Sequence, residues 1–248
     1  MDEDQAHEPE RAYVPCYKRI VLKLSGEALK GDRAIGISEN VINDITQEIK
    51  HIHDLGVEVA IVAGGGNFFR GARSNTLGID RAPADYMGML ATVINGIALR
   101  ETLEKYDLQA RLVSALPIHA VAEPFIRRKV IHHLEKGRVV ILSAGTGNPF
   151  FTTDTAAALR AVEINADILL KATLVDGVYS DDPKKVKNTI KYDHISYDKV
   201  IAKELKVIDS TAVTLCKENN LPIKIFNITP KGNIFKAITE EKFGTSIY

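Results

Sequence analysis

Three cationic side chains and two glycine-rich loops carry the chemistry that this sequence offers. Lys23 lies near the carboxyl end of RIVLKL (Arg19 to Leu24) and Lys171 ends DILLK (Asp167 to Lys171), runs that otherwise read as buried strands. A buried ammonium without an anionic partner costs several kcal/mol, so Lys23 either pairs with a carboxylate or faces a bound anion. Ser25 and Gly26 follow it directly with a hydroxyl and an open backbone, which favours the anion. Arg70 closes VEVAIVAGGGNFFRG (Val57 to Gly71), in which Gly64, Gly65 and Gly66 strip every Cβ from the turn after a strand. Bare N–H groups there suit phosphate, although the same glycines would also let a helix pack close. The second loop, SAGTGNPFFTTDT (Ser143 to Thr155), crowds Thr146, Asn148, Thr152 and Thr153 around Gly145 and Gly147, donors and acceptors suited to a base or sugar as well as to phosphate. Asp154 among them either caps the next helix or orients a cation or a lysine. The set suits transfer of a phosphoryl group between two bound anions, where position and charge matter more than covalent chemistry.

Strands and helices in strict alternation must hold these groups. After RIVLKL and the loop Gly31 to Gly36, Ser38 reads as the N-cap of a helix whose buried face is Val41, Ile42, Ile45, Ile49, Ile52 and Leu55, closed by Gly56. With the strand after it this makes a βαβ unit, so the sheet is mostly parallel. A long helix is expected over Pro83 to Tyr106, with Asp85 in its first turn, where an acid usually complements the dipole. Gly88, Ala91, Gly96 and Ala98 within it suggest close packing, a second subunit being one candidate for the neighbour. Strand Ala110 to Ser114, helix Pro124 to Lys136, strand Arg138 to Ser143 and helix Thr155 to Asn165 continue the alternation. Asp176-Gly177 reads as a tight hairpin turn. Helix Asp209 to Asn219, strand Leu221 to Phe226, a short helix Gly232 to Ile238 and strand Thr245 to Tyr248 end the chain. The fold class expected is α/β, a three-layer sandwich with about eight strands in one mostly parallel central sheet and helices on both faces.

Composition narrows the partners. The 248 residues are 45% hydrophobic and 26% charged, with 32 basic and 32 acidic side chains, an ordinary soluble composition without the basic excess of a nucleic-acid or membrane binder. No apolar run approaches a membrane span, and MDEDQAHEPER is acidic, unlike a signal or transit peptide, so a cytoplasmic location is expected. Residues 1–16, with Pro9 and Pro15, read as a flexible acidic tail and 17–248 as one domain. Cys16, Cys216, His132 and His133 lack ligand spacing, and no metal site made by the protein alone is expected. The P-loop pattern GxxxxGK[ST] is absent, and GGGNFF lacks the last glycine of GxGxxG.

KLSGEAL (Lys23 to Leu29), GGGNFFRG (Gly64 to Gly71), DYMGMLATVINGIAL (Asp85 to Leu99), SAGTGNPFFTTD (Ser143 to Asp154) and KATLVDGVYSDDP (Lys171 to Pro183) together resemble the bacterial uridylate kinase family of the amino acid kinase superfamily. The resemblance runs in order from residue 17 onward. It implies transfer of the γ-phosphoryl group of ATP to UMP, with Mg²⁺ accompanying ATP. It further implies that Lys23, Leu24, Ser25, Gly26, Gly66 and Arg70 serve the ATP phosphates. Thr173, Tyr179 and Asp182 would hold adenosine in a lobe spanning 167–248. Gly65, Asp85 and the stretch Thr146, Gly147, Asn148, Pro149, Phe150, Phe151, Thr152 and Thr153 would hold UMP in a lobe spanning 17–166. Lys171, Asp154 and Asp209 match a second charge clamp and the groups that orient it. Relatives are homohexamers, often activated by GTP and inhibited by UTP. The corresponding effector residues would be Gly31, Asp32, Arg33, Ala34, Ile35 and Gly36 with Arg100, Arg111 and Arg138, but Glu104 stands where some relatives carry a histidine. Two other readings remain: a carboxylate kinase of the same fold, such as acetylglutamate kinase or aspartokinase, and a protein that binds nucleotide without turning it over.

Overall fold

Apolar runs of five or six residues separated by helix-period segments leave little choice of architecture. A computed structural model describes residues 13–69, 78–181, 186, 188–205 and 207–248. In chain order the elements are β1 (Arg19–Leu24), α1 (Gly26–Leu29), α2 (Glu39–Asp54), β2 (Glu58–Ala63), α3 (Arg81–Lys105), β3 (Ala110–Ser114), β4 (Glu123–Pro124), α4 (Arg127–Glu135), β5 (Val139–Ser143) and α5 (Thr153–Glu163). They continue with β6 (Ile168–Thr173), β7 (Val178–Tyr179), β8 (Lys191–Tyr192), β9 (His194–Ile195), α6 (Tyr197–Ala202), α7 (Ser210–Glu218), β10 (Ile223–Asn227), α8 (Asn233–Thr239) and β11 (Thr245–Ile247).

One nine-stranded sheet runs β4-β3-β5-β2-β1-β6-β10-β11-β9, parallel throughout except where β11 lies antiparallel to β10. Alternate residues of each central strand feed opposite layers. Ile20, Leu22, Leu24, Ile61 and Leu170 pack with Ile45, Ile49 and Ile52 of α2, Leu99 and Leu103 of α3, and Ile234 and Ile238 of α8. Val21, Ala60, Val62, Leu169 and Ile225 pack with Val130 of α4, Ala157 and Ala161 of α5, and Val213 and Cys216 of α7. The three-layer expectation therefore holds, with nine strands in place of about eight. The two-residue strands β4 and β9 at the sheet's two edges are too short to give any periodicity.

Three boundaries differ in ways that bear on chemistry. Helix α3 begins at Arg81 behind Asp80, which moves Asp85 out of the first turn and away from a dipole-complementing position. Glu123–Pro124 forms an edge strand where a helix start was expected, an edge being where a strand tolerates proline. Asp176-Gly177 makes no two-residue hairpin, because β7 pairs with β8 in a separate antiparallel ribbon. Gly177 is needed for another reason: a Cβ there would lie 2.4 Å from Thr245 Oγ1. Of the expected tail, residues 1–12 lie outside the described residues, while Cys16 N–H donates to the Ile238 carbonyl at 2.9 Å and Tyr13 meets the Phe235 ring edge-on at 5.1 Å.

Strand β1 has β2 on one side and β6 on the other, so the chain reverses its direction of winding there and leaves a crevice at the strands' carboxyl ends. Backbones meet closely in that crevice. A Cβ on Gly26 would lie 2.6 Å from the Gly64 oxygen and 2.7 Å from the Gly66 nitrogen. Gly26→Ala is therefore expected to cost about 1–3 kcal/mol of stability through overpacking, read as a lower urea midpoint at constant slope. An unchanged midpoint would show that the two glycine turns do not press on each other.

Candidate active site

The register of the sheet brings the two strand lysines together. Lys23 of β1 is the direct partner of Lys171 of β6, and residues paired in register on neighbouring strands point to the same face, here the face under α5. Asp154, in the first turn of α5, meets both: its Oδ1 is 2.7 Å from Lys23 Nζ and its Oδ2 accepts from Lys171 Nζ. The three side chains are 10%, 14% and 9% exposed for Lys23, Asp154 and Lys171, so the cluster is shielded without being sealed. Of the two roles left open for Asp154, the structure selects the lysine. Thr152 is the N-cap, its hydroxyl accepting the Asp154 and Thr155 N–H groups at 3.1 and 3.2 Å.

Two ammonium groups share one carboxylate, with Asp209 the next negative charge beside Lys171. Burial alone would raise the Asp154 pKa, but Lys23 and Lys171 outweigh it and hold the carboxyl below its ordinary range. Burial pushes the Lys171 pKa below the ordinary lysine range; Asp154 opposes this and Lys23 reinforces it. Asp209 stands one step away. It caps α7 by accepting the Ala212 N–H at 2.9 Å, and it accepts the hydroxyls of Thr152 at 2.5 Å and Thr155 at 2.9 Å. Asp209 thus fixes the start of α5, and through it Asp154.

One cavity opens on this cluster and a second lies beside the residues that precede Asp154. One of about 600 Å³ is walled by Asp154, Lys171, Asp209 and Ser210 and by apolar side chains of α6 and α7 such as Val200 and Val213. A second, of about 110 Å³, lies among Gly65, Gly66, Asp85, Thr146, Asn148, Phe151, Thr152 and Thr153. That is room for a phosphate group, and a whole nucleotide would extend beyond it. Asp85 borders this cavity and ties two elements together, accepting the Phe150 N–H at 2.7 Å and the Arg81 guanidinium at 2.8 Å.

Of the other residues singled out from the sequence, Leu24 belongs to the core and Ser25 precedes α1. Gly147, Pro149 and Phe150 lie in the same loop as the cavity residues without lining the cavity. Thr173 ends β6 and Tyr179 lies in the β7–β8 ribbon, donating to Asp176 at 2.8 Å; neither lines the larger cavity. Arg70 and Asp182 lie outside the described residues. Arg100 and Arg111 line a separate cavity of about 500 Å³ with Glu101, Glu104, His119 and Glu123. The remaining arginine of that expected group, Arg138, bonds instead to Gln109 and His133, and none of Gly31 to Gly36 lines the cavity.

Sequence reasoning missed three polar residues at the crevice. Asn67 and Asn95 exchange a pair of amide hydrogen bonds, each 2.8 Å, inside the core. Thr92 lies one helical turn before Asn95, equally buried. The available signal was the occurrence of Thr and Asn at core-facing positions of an otherwise apolar helix, which demands partners.

A parallel sheet with glycine turns and a lysine pair at its switch point is the arrangement of a phosphate-handling α/β protein. The chain belongs to the amino acid kinase family, whose family model matches residues 18–227. The structure of UMP kinase from Bacillus anthracis superposes with a TM-score of 0.91 at 41% identity, over 93% of this chain and 96% of that one. UMP kinase from Ureaplasma parvum gives 0.87 and 38%, over 93% and 98%. Uridylate kinase from Archaeoglobus fulgidus gives 0.74 and 29%, over 92% and 99%.

Asp154→Asn tests the charge cluster. Removing the shared anion is expected to cost about 3 kcal/mol or more at pH 7, because two buried ammonium groups lose their partner. Asp154 has a depressed folded-state pKa, so its contribution is complete above the unfolded carboxyl value of about 4 and disappears as pH falls through the lower folded value. Urea unfolding of both proteins should show the gap closing on acidification; a gap that widens below pH 4 would mean the carboxyl is not held ionised.

Proposed function

We propose that this chain is a UMP kinase, transferring the γ-phosphoryl group of ATP to UMP to give UDP. The observation that carries the reading is the cluster of Lys23, Asp154 and Lys171 at the crevice, with Asp154 and Lys171 on the wall of the larger cavity and Thr152 and Thr153, just before Asp154, on the wall of the glycine-lined one. The larger cavity, part apolar and opening on Lys171, receives the donor; the smaller receives the acceptor phosphate, with sugar and base running past Asp85 and the loop of Thr146 to Thr153.

A nucleoside monophosphate has a second pKa of about 6, so its attacking oxygen is already ionised at pH 7 and no general base is required. As that oxygen bonds to the γ-phosphorus, the bond to the β,γ-bridging oxygen breaks and ADP leaves with the electron pair. The barrier is dominated by bringing two polyanions into line. Lys23 and Lys171, held at fixed separation by the strand register, supply charge that needs no reorganisation during the reaction. Arg70, by its place in the sequence, adds a third cation.

Mg²⁺ fits this site only as a companion of the nucleotide. Among the described residues no group of three or more His, Cys, Asp or Glu could hold a metal ion, and magnesium is commonly bound through phosphates with one or two carboxylates. Asp154 and Asp209, on the wall of the larger cavity, are the side chains that would face it. Bound with ATP there, it would supply positive charge against the polyphosphate.

Assembly and regulation follow the same reading. Tyr86, Met87, Leu90 and Ile94 stand exposed on α3, an apolar stripe that a second copy would cover in a homo-oligomer such as a hexamer. The cavity of Arg100 and Arg111 carries three carboxylates against two guanidinium groups, a poor balance for GTP or UTP within one protomer. Any response to either would draw on cations from elsewhere.

Lys23→Ala is expected to lower turnover by about 10² or more while stability holds, since Asp154 keeps Lys171 as its partner. Near-normal turnover would refute the role of Lys23. ADP release should be seen with UMP and not with acetylglutamate or aspartate, while CMP measures base selectivity; no release with any acceptor would favour a non-catalytic nucleotide binder. Asp85→Asn should mainly raise KM for UMP, and a change confined to the ATP dependence would reject its assignment to the acceptor.

A further inference from the structure

Both rims of the smaller cavity are fastened to one helix. Asp85 and Thr92 lie seven residues apart on α3, a spacing that returns to within roughly 20° of the same direction, and Asn95 follows a turn later. Thr92 donates its hydroxyl to the Met89 carbonyl at 2.6 Å and accepts the Ala144 N–H at 2.8 Å. Asp85 accepts the Phe150 N–H at 2.7 Å. These two anchored residues are the non-glycine positions of the second loop with left-handed backbones, Ala144 at φ 62° and Phe150 at φ 73°. A side chain resists that conformation, so each strained residue is held by a bond from α3.

Asn95 secures the opposite rim. Its amide donates to the Gly64 carbonyl at 2.7 Å and to Asn67, while the Asn67 amide donates in turn to Asn95 and to the Gly36 carbonyl at 2.9 Å. The gap between Gly65–Gly66 and the second loop is therefore set by one rigid rod.

We infer that Thr92 and Asn95 are positioning residues for the acceptor nucleotide, fixing the distance between the two loops that grip it; this rests on the reading of the cavity as the UMP site. Thr92 borders the cavity, but its hydroxyl is committed to protein on both sides, so it acts through Ala144.

The test uses the full-length protein. Thr92→Val keeps the volume and removes the acceptor for the Ala144 N–H, and is expected to raise KM for UMP about 5- to 150-fold, with kcat and KM for ATP moving less than about threefold. Thr92→Ser, which retains the hydroxyl, should restore the wild-type value. Thr92→Ala, which cannot overfill the site, should act like Thr92→Val and stands in for it if that variant does not fold. Melting temperatures are recorded alongside. A variant that melts earlier yet keeps its KM for UMP when assayed below the transition overturns the proposal, as does a serine variant no better than valine or an equal rise in both KM values. Wild-type protein without UMP turnover removes the functional reading and this inference together, whereas normal wild-type turnover with an unaffected Thr92→Val removes the inference alone.

Discussion

One carboxylate held between two ammonium groups is the constraint on which the site depends. Either lysine alone could be balanced by Asp154 and become an inert buried ion pair. Two lysines on adjacent strands exceed the one carboxylate between them, and they face the crevice because both lie near the carboxyl ends of their strands. Desolvation makes this costly. The cost is reduced by the partial exposure of the cluster and by Asp209, which adds a second negative charge at longer range. On the proposed reading an incoming polyphosphate would add to that neutralisation, so binding energy and charge stabilisation would come from the same groups.

Lys224 shows why a buried lysine on a strand does not by itself mark such a site. It is more buried than Lys23 or Lys171, at 1% exposure. Its ammonium donates to the Ala237 and Glu240 carbonyls at 3.0 Å each, where the last carbonyls of α8 need donors. Burial holds its pKa down while nearby acids oppose that. Lys224 thus completes a helix terminus, whereas Lys23 and Lys171 are left with a share of one anion. Burial is common to all three; the supply of acceptors separates them.

Much of the fold could be read from the sequence because parallel strands buried on both faces appear as apolar runs, and the intervening helices keep a clean period. Lys23, Lys171 and the glycine turns were conspicuous as polar or Cβ-free interruptions of those runs. The register that sets Lys23 beside Lys171 was not readable, since pairing between strands so distant in sequence leaves no local trace. Asp154 was ambiguous for a related reason: Thr152 and Asp154 are both good caps, and only the position of α7, which brings Asp209 onto the Thr152 and Thr155 hydroxyls, decides between them. Asp85 was misplaced by two residues of helix boundary. Thr92 and Asn95 were hidden by their helix, where a lone polar residue on the buried face carries no hint of its partner.

Helix α3 makes the two halves of the crevice dependent on each other. A glycine turn accommodates a phosphate because it has no side chains, and for that reason it has nothing of its own to hold its shape. The rigidity must come from outside the turn. Here the Asn67–Asn95 amide pair supplies it on one rim, and Thr92 with Asp85 supplies it on the other. The lysine pair is positioned separately, by strand register. Charge and shape therefore have different supports, the sheet for the first and one helix for the second, and they meet where α5 brings Asp154 and Thr153 to the same crevice. A change in α3 should then alter the fit of the acceptor while the charge cluster stays intact, and a change in the sheet register should do the reverse.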